Sequence, residues 1–190
     1  MCIRDRLSVH YRSPLNFNFK QIKQSIIGLI RIYSALEIAY DIINETKNNS
    51  NKDSNIFVNE FDQIILSMNN DVNTPNVYAS VFDAVRKFNS NLKNSMNRDL
   101  AIHFISFLNK IGDMLGLFSE EPKKFLKQLN SILLREKEIS LDKINNKIKE
   151  RNRARNNKDY KKADLIRDKL LKLGIELKDS INGTKWSVKI

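Results

Sequence analysis

The sequence predicts a mostly α-helical protein, in which an antiparallel helical bundle is followed by a small helix–helix–β-hairpin module. Only 5 Gly and 3 Pro occur among 190 residues, so the residues that most often interrupt helices are scarce. Apolar residues recur at steps of three and four along most of the chain, as on one face of a helix. From Ile175 onward the pattern changes to the alternation that is typical of strands.

Composition limits the class of protein. Apolar residues make up 41% of the chain, which is enough to bury a core, while no apolar run approaches the ~18 residues of a membrane span. The lone Cys2 excludes an internal disulfide and a cysteine-built metal site. His10 and His103 are far apart, and no glycine-rich phosphate loop occurs. We therefore expect no catalytic residue, metal or cofactor in this chain, no membrane partner and a cytoplasmic location.

Positive charge is concentrated at one end of the chain. The net charge is +11, and residues 141–190 hold 15 Lys or Arg against 7 Asp or Glu, so +8 of it lies there. A basic segment beside a nearly neutral body favours a polyanion such as nucleic acid as the partner. The alternative is a Lys-rich tail that is only solvated.

Residues 17–138 are predicted to form the helical bundle. Its first helix runs from Phe17 to Glu45, and a polar loop at 46–55 separates it from a short helix at 56–68. Thr74 is predicted to cap the following helix, with Pro75 in its first turn. That helix and the next carry clear apolar stripes, and a last helix begins at Pro122; the stripes are Val77, Val81, Val85, Phe88 and Leu92, then Ala101, Phe104, Ile105, Leu108, Ile111 and Leu115.

Residues 139–190 are predicted to form the basic module. Ser140 can cap a helix whose inward stripe of Leu141, Ile144 and Ile148 continues into Arg151 and Arg155. A second helix, from Asp159 to Leu173, is stopped by Gly174. The hairpin follows, with its turn between Asp179 and Gly183. Residues 1–16 before the bundle are predicted to be extended or looped from Leu7 to Asn16.

Residues 151–186 combine the side chains that single-stranded RNA requires. Cations neutralise phosphates, an aromatic ring stacks on a base, and a carboxylate accepts hydrogen bonds from base amino or imino groups. Tyr160 is the expected stacking residue, whereas Trp186 is expected to pack beneath the hairpin. Asp164 and Asp168 are more typical of ion-pair partners than of an acid–base couple.

The same segment, RNRARNNKDYKKADLIRDKLLKLGIELKDSINGTKW, resembles the carboxy-terminal signature of the cysteinyl-tRNA synthetases. In that family the pattern runs R-N-x-A-R, K-D, A-D-x-I-R-D-x-L, G-I-x-L-x-D and G-T-x-W. HYRSPLNF at 10–17 resembles the exit from the family's catalytic region. MNNDVNTPNVYASVFDAVRKFN at 68–89 resembles its DALR-type bundle, with Asn70 where the family often has Asp. Residues 1–6 lie outside the resemblance.

The resemblance implies a parent enzyme that joins cysteine to tRNA(Cys), converting ATP to AMP and diphosphate on a nucleotide-binding domain with a bound zinc. The motifs of that domain are missing from this sequence. We therefore expect a catalytic domain to precede residues 1–16 in cis, and this chain to be inactive alone. The bundle would support the stem and elbow of tRNA(Cys), and the basic module would read the anticodon.

The resemblance assigns four residues to the anticodon, namely Arg155, Tyr160, Asp164 and Asp179. It implies base-edge contacts for the two aspartates, stacking for the tyrosine, and a base or phosphate contact for the arginine. Charge alone assigns three more residues to the RNA backbone, namely Arg151, Arg153 and Lys158. Three alternatives stay open: a ligase that joins cysteine to an amino sugar, a free-standing RNA-binding module, and a helical scaffold without RNA preference.

Overall fold

The structure, a computed structural model, describes residues 2–15, 18–46, 56–92, 97–180 and 183–189. These ranges contain helices α1 (Cys2–Leu7), α2 (Phe19–Glu45), α3 (Val58–Asn69), α4 (Thr74–Leu92), α5 (Arg98–Leu115), α6 (Pro122–Glu136), α7 (Leu141–Asn156) and α8 (Tyr160–Lys172), and strands β1 (Ile175–Ser180) and β2 (Gly183–Val188). The predicted mostly helical chain with a terminal two-stranded hairpin is confirmed. Most of the predicted 46–55 loop lies outside the described residues. Within the described ranges no helix is both long and apolar enough to cross a membrane.

The chain divides into two compact units, residues 1–126 and 127–190. The division falls within α6, whereas the sequence places the start of the basic module at residue 139. The predicted ranges 1–16, 17–138 and 139–190 stay predictions, since α6 is continuous through the division.

Aromatic stacking and apolar stripes form the core of the first unit. The predicted stripe of α4 is buried at Val77, Val81, Val85 and Phe88. The Phe88 ring stacks on Phe104 of α5, with centroids 4.2 Å apart and planes 8° from parallel. Burying one such side chain stabilises the fold by roughly 1.5–3 kcal/mol relative to its exposure. The three-residue and four-residue spacing therefore identified the buried faces of the bundle.

The ends of two bundle helices test the predicted caps. Gly116 ends α5 in the left-handed region, at φ 66°, as its position in the sequence predicted. The cap of α4 was predicted one residue too late, because Thr74 is already helical and buried. The side chain of Asn73 instead accepts from the Asn76 N–H at 3.3 Å, which is the bond expected of an N-cap asparagine.

Two side chains of the segment before α2 form hydrogen bonds to the turn between α3 and α4. Tyr11 Oη donates to Asp71 Oδ1 at 2.6 Å, and Arg12 Nη2 donates to the same oxygen at 3.1 Å. Asp71 and Val72 both have positive φ, at 54° and 51°. This left-handed conformation is typical of tight turns, so the carboxylate that accepts these bonds belongs to a tight turn. The sequence predicted an extended or looped segment from Leu7 to Asn16. In the structure Leu7 is still the last residue of α1, so the loop begins at Ser8.

The second unit is built from α7, α8 and the hairpin, with the end of α6. The strands pair antiparallel with Ile175 opposite Val188, Leu177 opposite Trp186, and Asp179 opposite Thr184. The ladder thus includes Asp179, which the sequence placed in the turn; residues 181 and 182 lie outside the described ranges.

Two predictions for α7 need correction. Leu141 is exposed rather than inward, because it is the first helical residue, whereas Ile144 is fully buried one turn later. Ser140 occupies the N-cap position with extended backbone, but its side chain makes no capping hydrogen bond.

Candidate nucleic-acid interface

The connection between α7 and α8 forms an exposed tip. The Lys158 N–H donates to the Arg155 carbonyl and the Asp159 N–H to the Ala154 carbonyl, both at 2.9 Å, which closes the end of α7. The Asp159 side chain then accepts from the Lys162 N–H at 3.1 Å and caps α8. Tyr160, the first residue of α8, is 61% exposed at this tip. A base could therefore stack on its ring without any rearrangement of the core.

Lys158 occupies the position in this turn that usually carries glycine. Its φ is 59°, a left-handed conformation that costs an L-residue roughly 1–2 kcal/mol. We expect Lys158→Gly to raise the free energy of unfolding by about 1 kcal/mol and to weaken RNA binding through loss of the cation. Lys158→Ala is the matched control, since it removes the same charge but keeps the strain. Urea unfolding and RNA titration of both variants would check this, and equal stability of the glycine and alanine variants would contradict the strain.

Strand geometry turns Asp179 toward the helices. Side chains two residues apart lie on the same face of a strand, so Asp179 shares the face of Ile175 and Leu177, which are buried. Its partner Thr184 shares that face, since directly paired residues of an antiparallel ladder point the same way. The inner face of the hairpin is therefore apolar at one end and polar near the turn.

Arg151 of α7 meets this polar end. Its Nη1 donates to Asp179 Oδ1 at 2.9 Å and its Nη2 to Asp179 Oδ2 at 2.8 Å, a bidentate pair. Only 5% of the Arg151 side chain is exposed. The hydrogen bonds that Arg151 donates to Asp179 raise the pKa of Arg151, against the opposing effect of its burial. Its assignment to the RNA backbone stays a prediction, which the burial of the guanidinium and its pairing with a carboxylate of the same chain do not favour.

Two more donors complete the environment of Asp179. Thr184 Oγ1 donates to Oδ1 at 3.0 Å, and Arg155 Nη1 donates to Oδ2 at 2.7 Å. The hydrogen bonds from Arg151, followed by that of Thr184 and the charges of the two arginines, hold the pKa of Asp179 well below its usual range. Asp179 is therefore ionised at neutral pH and surrounded by donors of its own chain.

The other predicted residues lie on exposed surfaces. Asp164 is exposed on α8, yet close enough to Arg151 that its charge contributes to the raised pKa of that residue. Arg155 is 44% exposed and so remains accessible while paired. Arg153 is exposed and lies about 200° around α7 from Arg151, on the opposite side. The structure thus brings Arg151 and Arg155 together on Asp179, places Asp164 within electrostatic reach of Arg151, and leaves Arg153 apart.

The structure adds two polar residues that the sequence did not single out. Thr184 bonds to Asp179, and its hydroxyl also lies 3.3 Å from the Asn152 side-chain oxygen. The sequence could have indicated Thr184, because a hairpin of this length pairs it directly with Asp179.

Trp186 is half-buried and paired with the buried Leu177, on the inner face where the sequence expected it.

Among the described side chains no group of three or more His, Cys, Asp or Glu is arranged to hold a metal ion.

Comparison with known proteins agrees with this geometry. Residues 63–119 match the family described as the DALR domain, and residues 142–186 match the cysteinyl-tRNA ligase anticodon binding domain. The second match spans the α7–α8 tip, the Arg151–Asp179 pair and the hairpin. By fold the chain is therefore a helical bundle followed by a helix–helix–hairpin module that is similar to the anticodon binding domain of the cysteinyl-tRNA ligases.

The relatives define the family more narrowly. The chain is 33% identical to the cysteine–tRNA ligase of Maridesulfovibrio salexigens, over 96% of this chain and 40% of the relative. It is 39% identical to that of Photorhabdus laumondii, over 96% of this chain and 36% of the relative, and 35% identical to that of Geobacter metallireducens, over 96% and 40%. The resemblance given by the sequence is confirmed: the chain corresponds to the carboxy-terminal part of the cysteine–tRNA ligases. It spans about two fifths of the length of the relatives that it matches.

Proposed function

We propose that this chain is the tRNA-binding carboxy-terminal part of a cysteine–tRNA ligase, and that residues 139–190 bind the anticodon of tRNA(Cys). The observation that carries the proposal is that the anticodon-binding match at 142–186 coincides with an exposed Tyr160 set among exposed cations. Stacking on such a ring contributes about 1–3 kcal/mol per base. The match also favours a tRNA ligase over a ligase for an amino sugar, which has no use for an anticodon-binding module.

In this proposal the longer protein acts in the cytoplasm and carries a nucleotide-binding catalytic domain in cis, with the zinc and ATP sites on that domain. That domain would join cysteine to tRNA(Cys) and release AMP and diphosphate. The bundle would support the stem and elbow of the tRNA. This chain alone would not activate cysteine, so cysteine-dependent diphosphate exchange by it would contradict the division of labour.

Each exposed residue of the module takes a role that fits its chemistry. Tyr160 stacks on a base, and Asp164 accepts from a base edge beside it, one helical turn along α8. Arg153 and Lys158 contact phosphates, since both are exposed cations. Asp179 contributes a base-edge acceptor and Arg155 a donor to a base or a phosphate, and the two side chains are hydrogen-bonded to each other.

We expect Asp164→Ala and Lys161→Ala to have different effects on tRNA binding. Loss of a base-edge contact lowers discrimination by about 1–3 kcal/mol, so Asp164→Ala should lower the preference for tRNA(Cys) roughly 5- to 150-fold with a smaller effect on other tRNAs. Lys161 is an exposed cation of α8 that we assign to a phosphate, so Lys161→Ala should weaken all tRNAs alike and reduce the slope of log affinity against log salt by about 1. Titrations at several salt concentrations measure both quantities.

Asp168→Ala is the matched control for Asp164→Ala, because both aspartates are exposed on α8. The control separates the specific contact from the general effect of removing a negative charge. Equal loss of cognate and non-cognate tRNA in Asp164→Ala would contradict its role. A wild-type chain without any preference among tRNAs would instead favour the scaffold with a solvated basic end.

A further inference from the structure

The Asp179 carboxylate has a protected side and an accessible side. On the protected side Oδ1 accepts from Arg151 and from Thr184, at 2.9 Å and 3.0 Å. On the accessible side Oδ2 accepts from Arg151 at 2.8 Å and from the exposed Arg155 at 2.7 Å. A carboxylate offers about four lone-pair positions, so these four bonds fill it. A base can therefore bond to Asp179 only where one of the present donors leaves.

The two arginines differ in how readily they could leave. Breaking a buried ion pair costs a factor of at least about 100 in the folding equilibrium, and the Arg151 side chain is only 5% exposed. An exposed ion pair is worth a factor of about 5 or less, and the Arg155 side chain is 44% exposed. Arg155 is therefore the donor that can be displaced while the others remain.

We infer that Arg155 holds the place of an RNA base in the unbound protein, and that Arg151 is the positioning residue that keeps Asp179 oriented while the base replaces Arg155. This inference rests on the proposed anticodon-binding function. In the exchange a base amino or imino N–H donates to Oδ2 in place of Arg155 Nη1. The released guanidinium donates to a phosphate or to a base acceptor. Asp179 keeps four hydrogen bonds, and Arg151 continues to balance its charge.

Arg151 matters for specificity because it fixes both oxygens of one carboxylate. A bidentate guanidinium sets the plane of Asp179, whereas an ammonium group acts as a single point charge and leaves that plane free to rotate. A fixed acceptor lowers the affinity for any base that lacks a donor at the right place, by a factor of roughly 5–150. The chain thus keeps its base-reading group pre-oriented by a residue that need not touch RNA.

The first test compares RNA hairpins bound by the 190-residue chain. The first hairpin carries the anticodon stem and loop of tRNA(Cys), and each of three altered hairpins differs from it by one anticodon base. We expect the wild-type chain to prefer the first hairpin at the position read by Asp179. Arg151→Lys should bring that preference to within about threefold of unity, and should change binding of the altered hairpin by no more than about threefold.

Arg135→Lys is the matched control, because Arg135 is an exposed arginine of α6 within the same unit and has no assigned part in RNA binding. It should keep the wild-type preference. If Arg151→Lys weakens both hairpins equally, Arg151 is only structural and the inference is overturned. Should that variant fail to fold, Thr184→Val removes one donor to Oδ1 and should reduce the preference in the same direction; an unchanged preference in a folded Thr184→Val chain would also overturn it.

The second test observes the exchange itself through the guanidinium NMR signals of Arg151 and Arg155, assigned with Arg151→Lys and Arg155→Lys. Adding the tRNA(Cys) hairpin should shift the Arg155 signal and leave the Arg151 signal in place. An unmoved Arg155 signal in the complex would overturn the exchange. A wild-type chain that does not distinguish the hairpins would refute the proposed function, whereas a preference that survives Arg151→Lys would refute only this inference.

Discussion

Asp179→Ala is expected to destabilise the second unit by about 2–3 kcal/mol at pH 7. The substitution leaves the Arg151 guanidinium buried without its carboxylate, and breaking a fully buried pair costs about 3–5 kcal/mol. The destabilisation expected for Asp179→Ala is smaller than this, because 41% of the Asp179 side chain is exposed and solvent screens the pair. Trp186 is the only tryptophan of the sequence and lies on β2, so its fluorescence during urea unfolding reports on this unit. Asp168→Ala, an exposed aspartate of α8, should change the midpoint very little.

The cost of Asp179→Ala should depend on pH. The folded-state pKa of Asp179 is lowered, chiefly by hydrogen bonds from Arg151, so its stabilising contribution is complete above the unfolded pKa of about 4. It is lost progressively as pH falls below about 5 toward the folded pKa. The difference between wild type and variant should therefore narrow from pH 7 to pH 3. A difference that is constant over this range would show that the carboxylate charge is not the cause.

Phe88→Ala is expected to destabilise the first unit by about 3–5 kcal/mol, the usual cost of removing a fully buried aromatic ring. Phe88 is completely buried and stacked on Phe104, so the substitution loses both the burial and the aromatic contact. Thermal or urea unfolding followed by far-ultraviolet circular dichroism measures the effect.

Phe19→Ala provides the matched control for this substitution. Phe19 is also helical but is 86% exposed, so the same chemical change should alter stability by about 0.5 kcal/mol or less. Comparable losses for the two variants would mean that Phe88 does not carry the core of the bundle.

Periodicity predicted most of the fold because burial imposes it. The stripe on α4 and the stop at Gly116 followed from spacing and backbone preference alone. Thr74 and Leu141 were assigned wrongly because both stand at helix ends, where a shift of one residue changes the role of a side chain. Which of Asn73 and Thr74 caps α4 depends on where the turn after α3 lets the helix begin, and the local sequence does not determine that.

The sequence predicted which residues form the candidate site, whereas the contacts among them come from the structure. The resemblance supplied the anticodon assignments of Arg155, Asp164 and Asp179, and these stay predictions. The sequence analysis assigned Arg151 to the RNA backbone and placed Asp179 at the hairpin turn, whereas in the structure Arg151 is buried and Asp179 belongs to the strand ladder. What sequence could not give was that these two inward charges meet, since their contact joins residues 28 apart in the chain.

The internal pairing of Asp179 also bears on the kinetics of encounter with RNA. An uncompensated carboxylate in a reading site would repel the approaching phosphates, but two guanidinium groups here outweigh it, and the three side chains together carry a net positive charge. If the module binds RNA as proposed, long-range attraction by its lysines can therefore speed association without opposition from the Asp179 carboxylate. Ionic strength should then act mainly on the association rate, while the identity of the anticodon acts mainly on how long the complex lasts.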